Sequence, residues 1–473
     1  MSINSMEIYK ALAEIVGPQH LVVEPTLLEQ YSRDGLNPGR GYPDLSIFDA
    51  RPEWVVKPES TAQVSAIVCL AHENIIPLIP YGGATGLMGG AIPIKGGIVI
   101  DLKRMDRILR ISPEDRTAEV QSGVVLRSLE NELNKNGFLL GHDPWTVPIA
   151  TIGGTISTNG LGYRGAKYGS MGDQVLGLEV VLPNGEVLRT RGIPKSSTGI
   201  SLNHFYIGAE GSLGIVTAAT IRVFAVPEKR EMAAVGFPSF EAGFEAVAKM
   251  FHIGLKPALV DFGEQYSASS QPPFVPLELF PGSFALLYLV YEGFKEEVEA
   301  QKKRGWEICR EYGGKDIGRK EADEFWETRH VIAERFQQQR LRRFSQEIES
   351  RPRFDYIHVA LPLSNVLEYR RQCLEILRRH QIAVRECGLW TQPELFSIVM
   401  GGSGESRESL AKAIDEVLML AQDLGGTMEY CHGVGIRLAH LMKRELGAGF
   451  EVMKALKQTL DPHNIMNPGK MGF

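Results

Sequence analysis

The stretch whose reading decides the fold is Pro80-Tyr81-Gly82-Gly83-Ala84-Thr85-Gly86, with Gly89-Gly90 just beyond it. The apolar run Ile75–Ile79 leads into it as a strand, and Gly97–Leu102 leaves it as another. Upstream, Trp54-Val55-Val56 reads as a further strand and Thr61–His72 as a helix, with Ser60 or Thr61 placed to cap it. Strand, helix and strand therefore meet at a glycine turn. The loop lacks the Gly-Lys-Ser/Thr ending of a P-loop. It also lacks a Gly-x-Gly-x-x-Gly that opens a helix, since a strand follows Gly97. Consecutive glycines between strands can instead turn several backbone N–H groups toward one anion, such as a pyrophosphate. Taken alone, the loop is explained equally well as a plain tight turn.

Two further segments share this texture. One runs from Pro144 to Gly169 and contains Ala150-Thr151-Ile152-Gly153-Gly154-Thr155-Ile156-Ser157-Thr158-Asn159-Gly160. The other is Gly208-Ala209-Glu210-Gly211-Ser212-Leu213-Gly214-Ile215-Val216-Thr217, which runs into a strand. The chain holds 50 glycines, clustered between Gly82 and Gly214. They alternate with strand-like runs, so they mark sharp turns or close backbone approach, not a linker. Small hydroxyl residues and glycines at this density let a flat ring and a polar chain lie against backbone.

Around these segments, Thr117–Val120 reads as strand and Leu126–Lys135 as a helix stopped by Asn136-Gly137. Leu178–Leu182 and Glu186–Thr190 flank Asn184-Gly185, which predicts a hairpin with a type I′ turn and two residues at positive φ. Ile215–Val226 is a long strand ended by Pro227. Beyond it glycine thins out and strand–helix units follow. Ala233–Phe237 precedes Phe240–Phe251, and Phe284–Tyr291 precedes Lys295–Tyr312. Asp355–Leu361 precedes Asn365–Arg379, with Ser364 as its cap, and Leu395–Met400 precedes Glu405–Leu424. The expected division is an N-terminal helical segment over residues 1–45, a cofactor domain over 46–227, a cap over 228–428 and a C-terminal segment over 429–473. The fold class is α+β.

Composition excludes several functions. With 44% hydrophobic and 23% charged residues, the 473-residue chain is an ordinary globular protein of two or three domains. Its net charge of −6, without a basic stripe, argues against a nucleic-acid partner. Cys69, Cys309, Cys373, Cys387 and Cys431 show neither zinc-ligand nor redox spacing, and free thiols fit a reducing compartment. The N-terminus lacks the apolar core of a signal peptide, and no apolar run is long enough to span a bilayer. A cytoplasmic protein is expected.

The three glycine segments, in this order, together with the ending Leu460-Asp461-Pro462-His463-Asn464-Ile465-Met466-Asn467-Pro468-Gly469-Lys470, resemble the vanillyl-alcohol oxidase / p-cresol methylhydroxylase flavoprotein superfamily. Within it the chain is most similar to the branch of the glycolate oxidase flavoprotein subunit and the D-lactate dehydrogenases, over nearly its whole length. The resemblance implies a two-subdomain domain that holds FAD, and an α+β cap, an antiparallel sheet with helices, over the flavin ring. Carried over position by position, Pro80 to Gly86 would hold the pyrophosphate. Trp145, Ala150, Thr151, Gly154, Thr158, Asn159, Gly160 and Leu161 would line the flavin. Glu210, Gly214, Ile215 and Val216 would face the adenine side, with Asn467 contributed by the C-terminal motif. Members with covalent flavin use a His, Cys or Tyr link; the Pro80–Gly90 loop has no His or Cys, so the FAD is expected to be non-covalent.

In Cys431-His432-Gly433-Val434-Gly435, the resembled branch has Glu-His-Gly, with the glutamate on a metal and the histidine facing substrate. His432 is thus the catalytic candidate, a neutral imidazole able to take a hydroxyl proton; a buried structural histidine is the plainer reading. At the other two metal positions of the branch stand Trp390 and Ser397. With Cys431 at the third, no metal is expected. Trp390 would then form an aromatic wall of the substrate pocket. Trp326, Arg329, His330 and Ala333 recur at helical spacing between Asp323 and Arg343. Trp-x-x-Arg resembles a branch motif in which the arginine holds a substrate carboxylate, and an ordinary ion-paired arginine is the alternative.

The chain is expected to be an FAD-linked oxidase or dehydrogenase that oxidises an alcohol or hydroxy-acid C–H bond. Two other readings stay open. Pro194–Gly199 and Phe237–Glu241 look similar to alkylglycerone-phosphate synthases, which use flavin in a non-redox transfer, and a non-catalytic flavin-binding subunit is the third. Expected partners are a small-molecule substrate and an electron acceptor, whether a protein, a quinone or O2. Gly160, beside the flavin in the resemblance, has no side chain to bar O2. Self-association into a homo-oligomer stays open.

Overall fold

The computed structural model describes residues 3–42, 44–267, 274–342, 353–402 and 406–473. Arg343 and Glu405, which bound two of the segments read above, lie outside these residues.

Three sheets carry the architecture. The first has the order Leu21–Val22, Trp54–Val56, Ile98–Asp101, Leu78–Tyr81. Its last three strands are parallel, and Trp54–Val56 and Ile98–Asp101 are buried at every position, as strands covered on both faces must be. The helices Ile3–Val16 and Thr61–Asn74 pack on it through Ile8, Leu12, Val64, Ile67 and Val68. The Ser60 hydroxyl accepts the Gln63 N–H and caps the second helix. That helix runs beyond His72 and ends on Ile75 in the left-handed region, φ 53°. The strand expected from Ile75 therefore starts only at Leu78, because the chain must first reverse out of the helix.

The second sheet is antiparallel, with the order Ile108–Ser112, Thr117–Gln121, Ile215–Arg222, Val175–Val181, Val187–Arg189. The helix Leu126–Lys135 buries Leu126, Leu129 and Leu133 in its core. The expected hairpin is present, with Val181 opposite Val187. Its turn is not type I′: among the non-glycine residues at positive φ Asn184 is absent, and only Gly185 (φ 84°) is left-handed. The Gly185 N–H bonds the Leu182 carbonyl and the Leu182 N–H bonds the Glu186 carbonyl. Pro183 favours such a right-handed turn followed by one left-handed glycine.

The third sheet has seven antiparallel strands, in the order Lys315–Asp316, Lys229–Phe237, Ala285–Gly293, Leu259–Gln265, Val384–Trp390, Leu395–Gly402, Arg353–Ala360. Leu259–Gln265 and Val384–Trp390, near its middle, were not anticipated. One face packs Val260, Phe262, Ile357, Val359, Leu389 and Phe396 against the helices Phe240–His252, Lys295–Glu311, Val366–Arg379 and Arg407–Asp423. Ser364 does not cap the third of these; it sits inside a short 3₁₀ turn, Leu363–Asn365.

The C-terminal motif returns to the first sheet. Leu78 N–H donates to the Ile465 carbonyl and Asn467 N–H to the Leu78 carbonyl. Buried Lys457 donates to the carbonyls of Ser212 and Met466, and Lys470 to that of Ile92. Among the described residues no helix is long and apolar enough to cross a membrane.

Candidate active site

The three glycine segments, the roof of the third sheet and the Cys431-His432 loop enclose one cavity of about 560 Å³, a size typical of ligand sites. Pro80 to Gly86 form one wall. Ala84 is left-handed, φ 52°, and the N–H groups of Ala84, Thr85 and Gly86 have no acceptor among the described residues. Three free N–H groups in one tight loop form a seat for a phosphate anion. The loop can lie this close because Gly83 has no side chain: a Cβ there would run into the Ile149 carbonyl, with the Ala150 Cα 3.2 Å away.

Trp145, Ala150, Thr151, Gly154, Thr158, Gly160 and Leu161 lie on the adjoining wall, and Glu210, Gly214, Ile215 and Val216 beyond it. In the same wall Ser122 Oγ and both ring nitrogens of His142 are buried without a protein partner. Burial pushes the His142 imidazole down to about 4, so it is neutral. Free N–H groups, orphan polar atoms and a glycine-lined slot are what the phosphates, the ribityl chain and the ring of FAD require. Asn159 and Asn467 are not in the wall. Asn159, φ 49°, ends the helix Ile152–Thr158 and accepts the Gly172 N–H. Asn467 Nδ2 donates to the carbonyls of Gly90 and Glu210 and fastens two glycine segments together.

Glu210 does more than line a wall. Its carboxylate accepts the N–H of Val434 at 2.5 Å and of Gly435 at 2.9 Å. Burial pushes it up to about 7 despite those bonds and nearby Lys470. It thereby anchors the loop that carries His432, and left-handed Gly433 (φ 81°) leaves room for it.

His432 lies in the cavity wall with Nδ1 3.4 Å from Glu429 Oε1. The same oxygen accepts the N–H groups of Cys431 and His432, at 2.7 and 2.9 Å. Burial alone would push the imidazole down; Cys431 and the Glu429 carboxylate outweigh it and hold it well above the ordinary histidine value. His358, 4.5 Å from His432 between ring centroids, is driven the other way, to about 3, by burial and by that neighbour. Two adjacent imidazoles are thus held in opposite protonation states near neutral pH, and the neutral imidazole expected of His432 is reached only at higher pH.

Trp390 lines the cavity edge-on to Tyr163, ring centroids 5.4 Å apart. Ser397 and Cys431 line it as well, so an indole, a hydroxyl and a thiol occupy the positions given to metal ligands. Arg329 is not in the wall. Its Nε donates to Asp143 Oδ2 at 3.0 Å, and its guanidinium covers the Trp326 ring. His330 bonds Asp143 Oδ1 at 2.9 Å. The helix expected across these residues is broken there, into Arg319–Thr328 and Val331–Arg342, since both side chains turn to one carboxylate.

The reading from sequence missed Asp261, Glu386, His358 and Tyr356, which reach the cavity from the third sheet, and Glu429 behind His432. Alternation along Tyr356-Ile357-His358-Val359, with Ile357 and Val359 in the core, is the signal that could have found the sheet residues.

Comparison with known proteins agrees with this arrangement. The FAD binding domain family matches residues 52–191, and the family of the C-terminal domain of FAD linked oxidases matches 226–471. The glycolate oxidase subunit GlcD of Bacillus subtilis is 29% identical over 98% of this chain and 96% of its own. A D-lactate dehydrogenase of Archaeoglobus fulgidus is 32% identical over 88% of this chain and 90% of its own. Among solved structures, substrate-bound p-cresol methylhydroxylase superposes with a TM-score of 0.78 at 18% identity, over 100% of this chain and 98% of its own. An alkyldihydroxyacetonephosphate synthase superposes with a TM-score of 0.76 at 20% identity, over 98% of this chain and 85% of its own.

Proposed function

The chain belongs to the FAD-linked oxidases, and on that premise we propose that it oxidises an alcohol or hydroxy-acid C–H bond, with His432 as the base and without a metal. The observation that carries this is the Glu429–His432 pair at the cavity wall. Bound FAD would supply the hydride acceptor. Glu429 holds the backbone of the loop and lies 3.4 Å from Nδ1, which leaves Nε2, once the imidazole has lost its own proton above neutral pH, to take the substrate hydroxyl proton. Proton loss from the hydroxyl raises electron density at the carbon that gives up hydride. His358, neutral, can donate or accept a hydrogen bond to the same oxygen. The residues in the wall would hold FAD non-covalently through the Ala84–Gly86 amides and the 150–161 segment.

A phosphate-bearing transferase substrate is disfavoured by the wall itself. It contains Asp34, Glu210, Asp261 and Glu386 and, among the described residues, no lysine or arginine. Anaerobic addition of alcohols should bleach the flavin, and His432→Asn should slow bleaching by about 10²–10⁴-fold with FAD retained. Bleaching at the wild-type rate in that variant would refute the base assignment. Acid precipitation should release the yellow colour, and chelators should leave turnover unchanged. We also propose O2 as an acceptor, on the bare Gly160; slow reoxidation in air, unaltered in Gly160→Ala, would point to a quinone or protein instead.

A further inference from the structure

The strands Leu259–Gln265 and Val384–Trp390 pair with Gly263 opposite Gly388 and Asp261 opposite Trp390. Gly388 lines the cavity in the sheet face that roofs it, and a Cβ there would meet the Phe262 carbonyl at 2.9 Å and Ser397 Oγ at 3.2 Å. A Cβ on either glycine would come within 3.8–3.9 Å of Glu386 Oε1, so this carboxylate lies over the glycine pair. Asp261, two residues along from Gly263, borders it on the other side, and Trp390 with Tyr163 completes the rim.

The two carboxylates differ from the other two in the wall. Asp34 accepts the N–H groups of Leu36 and Ala91, and Glu210 those of Val434 and Gly435. Neither Asp261 nor Glu386 has a hydrogen bond or ion pair among the described residues, and both are half-buried and line the cavity. Burial, with Glu386 adding to it, pushes Asp261 up to about 7, and burial pushes Glu386 up. A cation would relieve both. Arg329, which the sequence pointed at the substrate, is bound to Asp143 instead. Carboxylates flanked by aromatic faces, in a wall without Lys or Arg, are the elements of an ammonium site.

We propose that the part of the cavity beside Gly388 holds a positively charged group of the substrate, an ammonium or alkylammonium, between Asp261, Glu386, Trp390 and Tyr163. This rests on the oxidase reading and narrows it: the substrate is an alcohol that carries a cationic amine, not a hydroxy acid.

The test uses the FAD-loaded enzyme and three matched alcohols: 4-(aminomethyl)benzyl alcohol, 4-methylbenzyl alcohol and 4-(hydroxymethyl)benzoate. Calorimetry with benzyltrimethylammonium and with 3-phenylpropionate measures charge preference without chemistry. The cationic member of each set should bind at least about tenfold more tightly than its partners. In the isosteric double variant Asp261→Asn/Glu386→Gln that preference should fall to near unity. Equal binding across charges, a preference for the anion, or a cation preference that survives the double variant would overturn the proposal; the first two need no variant. Bleaching by neutral or anionic alcohols without cation preference would overturn the proposal and leave the oxidase reading intact. Carboxylate-dependent cation binding with no bleaching by any alcohol would support the site and sink the oxidase reading.

Discussion

Asp143 is the joint between the flavin wall and the cap, and its removal makes the sharpest test of the structure. It lies between His142 and Pro144, both in the cavity wall, and its carboxylate meets Arg329, His330 and, at 3.7 Å, Arg164. Burial alone would raise it; Arg164, His330 and Arg329 overcome this and hold it far below the ordinary range. The Asp143 and Arg329 side chains are only 7% and 10% exposed. At 3.0 Å and an effective dielectric near 20, their gross attraction is about 5 kcal/mol. Desolvation offsets much of that, but Asp143→Asn leaves two buried guanidiniums short of a counter-charge, a situation that costs about 3–5 kcal/mol. Arg329→Ala should cost less, because Arg164 still serves Asp143. The double variant should be little worse than Asp143→Asn alone, with a coupling of about 1–3 kcal/mol. The assay is thermal unfolding of all four proteins at saturating FAD, where Asp143→Asn should lower Tm by on the order of 5–10 °C. Strictly additive shifts would refute the clamp. So would weaker binding of an anionic alcohol in Arg329→Ala at unchanged stability, which would return Arg329 to substrate.

Three further outcomes follow from the same geometry. The flavin-reduction rate should rise with pH above neutrality as His432 loses its proton, and Glu429→Gln should move the inflection toward the ordinary imidazole value; an unmoved inflection would remove Glu429 from the mechanism. Glu210 has a folded-state pKa raised to about 7 from 4.5, so its contribution is fully present below pH 4.5 and is lost as pH rises through 7, by on the order of 3 kcal/mol. Melting curves between pH 5 and 8 should show this decline in the wild type and a flatter profile in Glu210→Gln. Gly83→Ala should weaken FAD binding by about 5- to 150-fold, the equivalent of 1–3 kcal/mol of overpacking against the Ile149 carbonyl, which titration of apoprotein with FAD would measure.

The cofactor side of the molecule was legible in the sequence, because its chemistry is done by backbone. Where N–H groups and close approach matter, the sequence must show glycine and small residues in fixed order, and Gly82–Gly86, Ala150–Gly160 and Gly208–Thr217 do. The elements around them were legible for the ordinary reason that apolar periodicity and caps such as Ser60 agree with the structure. Errors there were local: Ile75 was counted as strand because it is β-branched, although it ends a helix, and Asn184-Gly185 was assigned a turn that Pro183 redirects.

The substrate side was hidden for a reason that bears on function. A strand in the middle of a sheet is expected to be apolar and β-branched, yet Leu259–Gln265 carries Asp261 and Gly263, and Val384–Trp390 carries Arg385, Glu386 and Gly388. Asp261, Glu386 and Gly388 break the strand signal because they line the cavity instead of the core, while Val260, Phe262, Cys387 and Leu389 keep the other face packed. Sequence rules that assume every inward face is apolar fail where a fold gives up packing to hold a ligand. Arg329 misled for the complementary reason: helical spacing and a Trp-x-x-Arg pattern pointed it at substrate, but its partner, Asp143, stands 186 residues away in sequence, and only the folded chain brings the two together.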